Sequence, residues 1–423
     1  MIIVAMLSLS ILTALLAVLS NAQQLRSDSG IAGPSLEIVH LYHDQWPTGI
    51  TVSKTGRKFS NYPSGLDANN TNTGTNSNKK HAVAELLANG TEIPYPNAGI
   101  NSPPTGAINY TVSPPVGANY ADYLLGVQSV VLDAQDRLWI LDTGRALTPD
   151  GVLVAASPGG AKLVCVDISS NTVMQTIVFP PTVAYPTSYL NDVRFDLRAP
   201  LTASGKGVAY ITDSSSEGRN GIVVVDLGTN DSWRHLDGIP ETRAEPGFVP
   251  YVWGHPLYYI PGPGMPLATV PLGSDGIALT ADGADLYFGP VGGRALYSVP
   301  TERLRDRGQS SELRARAALS RRGERGVSDG FETDTNALIY AGNMEQNAIG
   351  VYDAANASMG VFVRDPRISW VDTMSVGSDG YLYFTDNQLA FSSSFYPGTD
   401  RRKRPFVLFR APLPNNGSRV LLQ

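Results

Sequence analysis

Aspartate recurs at the openings of several similar segments of this sequence, where its carboxylate could bind a cation. Four such residues stand near the start of runs of alternating apolar residues: Asp192, Asp275, Asp329 and Asp372. We expect these positions to correspond, so that four carboxylates meet in the folded chain. Carboxylates held together can bind an amine through charge-assisted hydrogen bonds, or a hard divalent cation such as calcium. In the metal case, the ligands would be Asp275, Asp329 and Asp372.

A structural role for these aspartates is the alternative. Aspartate at a turn commonly accepts hydrogen bonds from nearby backbone N–H groups and so stabilises the turn itself. If the carboxylates do converge, their mutual repulsion should raise some of their pKa values unless a cation or hydrogen-bond donors intervene.

Motifs for other chemistry are weak. The sequence has five histidines, none of them in an HExxH spacing or beside a GxSxG turn. His255, in the string VWGHP, is the histidine that we would test as a catalytic base. The glycine pairs at 159–160 and 292–293 are interpreted as turns, because no strand-to-helix pattern accompanies them.

The aspartates belong to a repeated unit of two short strands joined by a Gly, Asp or Asn turn. The clearest copy is WVDTMSVGSDGYLYFTDN at 370–387, and others start near residues 126, 190, 274 and 328. A hairpin of this kind cannot bury its own apolar face, so the copies must pack side by side around a common axis. With a divergent copy at 36–61 the count is six, which predicts an all-β, six-bladed β-propeller whose last strands close the ring with the first blade. The outer strands of the blades are expected at 162–168, 221–227, 295–299, 349–353 and 406–412.

Composition agrees with this fold. The chain has 423 residues, with 42 Gly and 30 Pro and only 17% charged residues, a profile typical of turn-rich β structure. The formal net charge of −6 argues against nucleic acid as a partner, since phosphate binding needs a basic surface. We predict one domain over residues 23–423.

The N-terminal sequence indicates secretion. Residues 1–19 are almost all apolar, and the small residues Ser20 and Ala22 suit cleavage before Gln23, which predicts a signal peptide over 1–22 and no membrane anchor in the mature chain. Cys165 is the sole cysteine, so no intrachain disulfide forms, and its apolar strand favours burial. Six Asn-x-Ser/Thr sequons could carry glycans: Asn69, Asn89, Asn109, Asn230, Asn356 and Asn416.

Two segments break the repeat. Residues 62–118 are rich in proline, asparagine and other polar residues, and we expect mainly a surface loop outside the ring. Residues 301–326 contain eight arginines and predict a turn of helix followed by an exposed, solvated loop.

Several strings resemble the major royal jelly protein and yellow family. They include RLWILDTG at 137–144, SYLNDVRFD at 188–196, ALYSVPTERLRD at 295–306 and QNAIGVYD at 346–353, and similar strings extend from about residue 36 to residue 412. The resemblance implies a secreted six-bladed propeller. Members of that family are described as pigment-pathway proteins linked to dopachrome conversion, as nutritive secretions and as binders of biogenic amines.

The resemblance also implies ligand contacts. In the segment that matches amine-binding members, Thr373 and Asn387 would hydrogen-bond a polar ligand and Leu389 would pack against it. Asn343 and Asn347 are the analogous polar residues of the preceding unit, with Tyr340 as a stacking surface. A turn role for the two asparagines and a core role for Tyr340 are the alternatives.

We therefore expect a secreted propeller that binds a small polar or cationic ligand, such as a biogenic amine, in its channel. The enzymatic alternatives are a dopachrome-tautomerase-like activity and a calcium-dependent lactonase-type hydrolase. A storage or surface glycoprotein without a specific ligand is a third alternative. The partner is then a small molecule, and calcium is a cofactor only under the hydrolase alternative.

Overall fold

Six four-stranded antiparallel sheets form the fold in the computed structural model, which describes residues 27–74, 80–262 and 264–423. The innermost strands of the sheets contact one another in a closed circuit. This arrangement confirms the predicted six-bladed β-propeller, formed by the compact unit Ala32–Gln423.

Each blade is a meander that runs from the channel outward. In blades 1 to 3 the strands are, from the inside, Ile50–Val52, Lys58–Asn61, Val83–Leu86 and Glu92–Pro94; Val127–Leu132, Arg137–Asp142, Lys162–Asp167 and Thr172–Val178; and Leu190–Asp196, Val208–Asp213, Gly221–Asp226 and Ser232–His235. In blades 4 to 6 they are Ser274–Leu279, Asp285–Pro290, Ala295–Pro300 and Ser320–Glu324; Phe331–Thr333, Leu338–Asn343, Ala348–Asp353 and Ser358–Arg364; and Val371–Val376, Tyr381–Asp386, Phe406–Pro412 and Glu37–Tyr42. The five segments expected to supply outer strands do form strands, but each is the third of its blade and a fourth strand lies outside it.

The ring is closed by the first strand of the chain. Glu37–Tyr42 pairs with Phe406–Pro412 and becomes the outer strand of blade 6, and Glu37 and Arg410 form an ion pair of 2.7 Å. We had expected the last strands to join the first blade, whereas the first strand joins the last blade. The consequence for the sheet is the same, because the pairing removes an exposed edge.

Part of the segment 62–118 belongs to the ring. Its residues 83–86 and 92–94 are the outer strands of blade 1, so the expectation of a loop holds only for the remainder. A small sheet of Ile108–Asn109 and Val116–Gly117 lies in that remainder.

The arginine-rich segment is also more ordered than we predicted. It forms helices α1 (Thr301–Arg305) and α2 (Ser311–Ala317), and Ser320–Glu324 then adds the outer strand of blade 4. Its exposed arginines pair with acidic neighbours, for example Arg307 with Asp231 at 2.9 Å and Arg314 with Asp306 at 2.5 Å. The run is a solvated face, as its mixed charges indicate.

Few other elements interrupt the blades in the described part of the chain. They are a two-stranded sheet, Tyr251–Val252 with His255–Pro256, and the 3-10 turns Ala68–Asn70, Ala199–Leu201, Pro240–Thr242, Leu389–Phe391 and Pro414–Asn416. Across the same described residues, no helix has the length and apolar character needed to cross a membrane.

The core lies between adjacent blades. The second and third strands are buried on both faces, as in Val208–Asp213 and Gly221–Asp226, which explains their nearly continuous apolar sequences. Cys165 is buried among such strands, and burial raises the pKa of its thiol to about 12.

The proposed signal peptide, residues 1–22, lies outside the described residues. Of the six sequon asparagines, Asn109 is half-buried and the other five are exposed.

Candidate functional site

The inner strands carry a bulge at the end where they begin, which we call the first mouth of the channel. In blades 3, 4 and 6 the pairing with the second strand slips by one residue, between Leu190 and Val193, between Ser274 and Ile277, and between Val371 and Met374. A bulge of this kind turns a side chain out of the sheet's regular alternation, and bulges are common beside functional sites.

The register identifies the matching positions. Because Leu190, Ser274 and Val371 each pair with the last residue of the second strand, the residues that follow them correspond: Asn191, Asp275 and Asp372. Asp329 precedes the inner strand of blade 5 in the same Ser-Asp-Gly string as Asp275. The sequence had placed Asp192 in this set; the structure corrects that by one residue, since its neighbour Asn191 holds the position.

Three carboxylates on consecutive blades thus form an acidic cluster, which we define as Asp275, Asp329 and Asp372. They are only 3%, 6% and 4% exposed. Each accepts a hydrogen bond from a buried side chain: Asn191 Nδ2 donates to Asp275 Oδ2 at 2.6 Å, Trp370 Nε1 to Asp329 Oδ2 at 2.6 Å, and Asn387 Nδ2 to Asp372 Oδ2 at 2.7 Å. Two of these bonds cross between blades, so the cluster also ties the ring together.

Burial and mutual repulsion control the charge of the cluster. Burial, reinforced by the charge of Asp329, raises the pKa of Asp275 and of Asp372 well above the ordinary aspartate value. The pKa of Asp329 rises to about 6, mainly because of burial, while hydrogen bonds from Asp275 and Trp370 oppose the rise. Electrostatic interactions link Asp275, Asp329 and Asp372, and Asp192 also contributes to raising the pKa of each of the three. That these carboxylates form one binding site stays a prediction.

No basic side chain neutralises the acidic cluster by an ion pair within the described residues. The buried Arg325 acts on Asp329 only through its field, because its guanidinium donates to the backbone carbonyls of Pro290, Gly293 and Ala295. The cluster is left with acceptors that a cation would satisfy.

Asp192 has a different environment. Arg194 Nη1 donates to both of its oxygens, at 3.0 and 2.9 Å, and Ser129 Oγ of the preceding blade donates to Oδ1 at 2.9 Å. The ion pair with Arg194 therefore compensates the charge of Asp192. Asp192 lies one residue further along its inner strand than Asn191, the residue that aligns with Asp275 and Asp372.

Other aspartates have the turn-stabilising role that we considered for the inner-strand aspartates. Asp142, Asp213 and Asp386 end second strands and accept backbone N–H bonds from residues that precede the inner strands. For example, Leu125 N and Gly126 N donate to the Asp142 carboxylate at 2.7 and 2.9 Å. The inner-strand aspartates bond mainly to side chains instead.

Only some of the ligand contacts implied by the family resemblance lie near the acidic cluster. Thr373 lies beside Asp372 and donates to its Oδ1 at 3.4 Å, so it belongs to the acidic cluster's surroundings. Asn387 has no exposed surface, and both ends of its amide are engaged, with Asp372 and Pro47 O on one side and Leu389 N on the other. Leu389 is buried in the apolar layer above the cluster.

The three blade 5 residues implied by the resemblance, Tyr340, Asn343 and Asn347, do not form a common site. Tyr340 is fully buried between blades, where its hydroxyl donates to Asp334 Oδ2 at 3.0 Å and its ring packs against Phe362. Asn347 has a left-handed backbone with φ of 53°, and its Nδ2 donates to Ile368 O at 2.6 Å, as expected of a turn residue. Asn343 is buried against Gly326 with Oδ1 unpartnered.

An apolar layer covers the first mouth. Two segments, residues 251–260 and 389–396, pair through Tyr259 and Phe395, and we call them the cap. Leu257, Leu389 and Phe395 of the cap pack in one cluster with the two tryptophans that precede the inner strands of blades 1 and 6, Trp46 and Trp370. His255 lies on the exposed hairpin of the cap, so it is not placed to act as a base at the acidic cluster.

Sequence reasoning missed three residues of this site: Asn191, Trp370 and Arg194. Trp370 was visible in the string WVDT, but its indole bonds to the aspartate of the preceding blade, which no local pattern shows. Arg194 follows Asp192 by two residues on one strand, so their shared face was a usable signal.

The geometry of the acidic cluster supports a calcium site less well than a site for an amine. Among the residues that the structure describes, no three His, Cys, Asp or Glu side chains are arranged to hold a metal ion. Asp275, Asp329 and Asp372 are close enough to affect one another but are not set as a ready ligand group for calcium.

Comparisons with known proteins agree with the fold. Residues 125–407 match the family model described as "Major royal jelly protein". The chain is 22% identical to major royal jelly protein 7 of Apis mellifera over 237 residues, which is 54% of this chain and 47% of that protein, so the match spans about half of the relative's length.

Solved propellers are similar at the level of the fold alone. A luciferin-regenerating enzyme has a TM-score of 0.52 at 10% identity, with 92% of this chain and 100% of that chain covered. A calcium-binding regucalcin from Agrobacterium tumefaciens has a TM-score of 0.49 at 12% identity, with 93% and 97% covered.

Proposed function

Because this chain belongs to the major royal jelly protein family, we propose that it is a secreted propeller that binds a small organic cation, such as a biogenic amine, at its acidic cluster. The observation that carries the proposal is the burial of three carboxylates on consecutive blades, with no ion-pairing base among the residues that the structure describes. An ammonium group placed among them would supply the missing positive charge and up to three hydrogen-bond donors.

The surroundings favour an amine with an apolar body. Trp370 donates to Asp329 with its indole nitrogen while its ring packs in the apolar layer under the cap. A ligand at the cluster would therefore meet charge on one side and aromatic or aliphatic surface on the other, which is typical of small-molecule sites.

Access requires movement of the cap. The cluster is nearly inaccessible to solvent, and the segments 251–260 and 389–396 pack over it. We infer that the cap opens for ligand exchange, as lids do over other buried sites.

Calorimetric titration tests the proposal. We expect 2-phenylethylamine to bind and the neutral 2-phenylethanol of nearly equal size to bind much more weakly. Asp275→Asn and Asp372→Asn should each weaken amine binding about tenfold or more, since a hydrogen bond to a charged group contributes roughly 1.5–3 kcal/mol. Asp150→Asn, on an exposed turn, is the matched control. Equal binding of amine and alcohol, or unchanged binding in both cluster variants, would contradict the proposal.

Secretion is a separate part of the proposal, supported by the apolar segment 1–19 and by the exposed sequon asparagines. Expression in a secreting eukaryotic host should give protein in the medium that begins at Gln23. Treatment with an N-glycosidase should reduce its mass. An N-terminus at Met1 would contradict the signal peptide.

Proton transfer is a second candidate function, favoured by the Asp275–Asp329 pair. Two hydrogen-bonded carboxyl groups with unequal pKa values can act as acid and base in one reaction. A tautomerase acting on an oxidised catechol such as dopachrome would need such a pair. That activity should disappear in Asp275→Asn and should persist with a chelator, whereas a calcium-dependent hydrolase would lose its activity when chelator is added.

A further inference from the structure

The opposite end of the channel, where the inner strands end, holds a cavity of about 70 Å³. We call this end the second mouth. Its wall is completed by the C-terminal segment 419–422, which is anchored by Arg419 Nη2 donating to the carbonyls of Leu132 and Asp133. A cavity of this size has room for about five waters, or for a molecule of roughly five to seven non-hydrogen atoms.

Two buried polar atoms that lack hydrogen-bond partners belong to residues that line this cavity. They are Arg194 Nε and Thr333 Oγ1, on residues that are 7% and 3% exposed. A buried donor without a partner is costly, and both of these donors belong to residues that border the cavity. Arg194 Nε is only a donor, and the Thr333 hydroxyl can donate.

The remaining charged groups of the cavity wall are already engaged or can carry a proton. Arg419 Nη1 lies 3.3 Å from Asp136, and Asp133 Oδ2 accepts from the Trp139 indole at 2.8 Å. Glu332 has one oxygen bonded to Thr333 N and the other 3.7 Å from Arg194 Nη2, and burial raises its pKa. The groups left for a ligand are therefore mainly donors.

The rest of the wall is mostly apolar and includes Val131, Leu279, Met374, Val376 and Leu422. Two further polar side chains line it, Thr51 and Ser375, whose hydroxyl oxygens accept from the backbone N–H groups of Leu132 and Val52. A ligand that fits must present acceptor oxygens toward Arg194 and Thr333 and hydrocarbon toward these side chains. Its size is limited to a chain of a few carbons.

We propose that the second mouth binds a short aliphatic carboxylate, with Arg194 Nε–H and the Thr333 hydroxyl each donating to one carboxylate oxygen. The guanidinium adds charge assistance to its hydrogen bond. This site is independent of the acidic cluster, which would take a ligand of opposite charge at the first mouth.

Calorimetric titration of the full chain with sodium butyrate tests the proposal, with 1-butanol as the neutral probe of similar size. Butyrate should bind and butanol should bind at least tenfold more weakly. Thr333→Val, which removes the hydroxyl at constant shape, should weaken butyrate binding about tenfold. Leu279→Phe should abolish binding by filling the cavity, and Thr172→Val, on an exposed outer strand, should leave it unchanged.

Binding of 2-phenylethylamine to each variant separates the two sites. Thr333→Val should leave amine binding unchanged, which also shows that the variant is folded. If Leu279→Phe does not fold, Thr333→Val decides alone. The absence of butyrate binding, equal binding of butanol, or unchanged butyrate affinity in Thr333→Val would each overturn the proposal.

Discussion

Replacing Asp329 by asparagine should make the ligand-free protein less sensitive to alkaline pH. The pKa of Asp329 rises from 3.8 to about 6 in the folded chain, chiefly because the carboxylate is buried. Since one pKa unit corresponds to about 1.4 kcal/mol, ionised Asp329 destabilises the folded state by about 3 kcal/mol relative to the unfolded chain.

The sign follows from the direction of that change. A carboxyl group with a raised folded-state pKa stabilises the fold fully below the unfolded value of 3.8, and that stability is lost as pH rises through about 6. Between pH 4.5 and pH 8 the native protein should lose about 2 kcal/mol through this group, whereas Asp329→Asn should not. For a domain of this size the difference corresponds to a Tm change of about 2–3 °C.

Differential scanning calorimetry at the two pH values measures this effect. The quantity of interest is the Tm of Asp329→Asn minus that of the native protein, which should be larger at pH 8 than at pH 4.5. Asp150→Asn is the control, because Asp150 is exposed and its hydrogen bond to Thr148 lowers its pKa, so its titration lies below this window. The reasoning is refuted if the difference between variant and native protein is the same at both pH values.

Three further changes test other parts of the structure. Asn387→Ala should destabilise the protein by about 2–4 kcal/mol in urea unfolding, because buried partners lose their hydrogen bonds; a loss of amine affinity without a loss of stability would show instead that Asn387 contacts the ligand directly. Ile260→Cys with Ser394→Cys, on cap segments joined by a backbone bond of 2.9 Å, should form a disulfide that slows amine association and release at least tenfold in stopped-flow experiments; equal rates with and without reductant would exclude the cap as the gate. Asp142→Asn breaks a buried ion pair with Lys162 of 3.1 Å and should cost about 3–5 kcal/mol in the same urea assay, so a change below 1 kcal/mol would contradict a structural role.

The inner hairpins could be predicted from sequence because their information is local. Alternating apolar residues around a turn define the two strands, and the third strand adds an apolar run of similar length, as at Lys162–Asp167. The outer strands carry less of this signal. Val83–Leu86 and Glu92–Pro94 lie in a polar, proline-rich segment, and Glu37–Tyr42 finds its partner 373 residues away, so all three were missed as outer strands.

The acidic cluster could be predicted in outline but not in register. Three aspartates follow the repeat, whereas the string LND offers two adjacent polar residues, and only the bulge determines that Asn191 aligns with Asp275. The sequence also did not show that Tyr340, predicted as a stacking surface for a ligand, lies between blades. The second strand of its blade is covered on both sides, so alternation does not reveal which face meets the channel.

The pairing of Glu37–Tyr42 with the last blade has a consequence for biosynthesis. The strand leaves the ribosome long before its partner at Phe406–Pro412, because paired residues such as Glu37 and Arg410 are 373 residues apart. Until then the first strand is an unpaired edge, and the ring of contacts that stabilises every blade is open. Completion of the fold must therefore wait until Phe406–Pro412 has been made, and any product truncated before residue 406 would expose an edge of blade 6 to aggregation and to quality control.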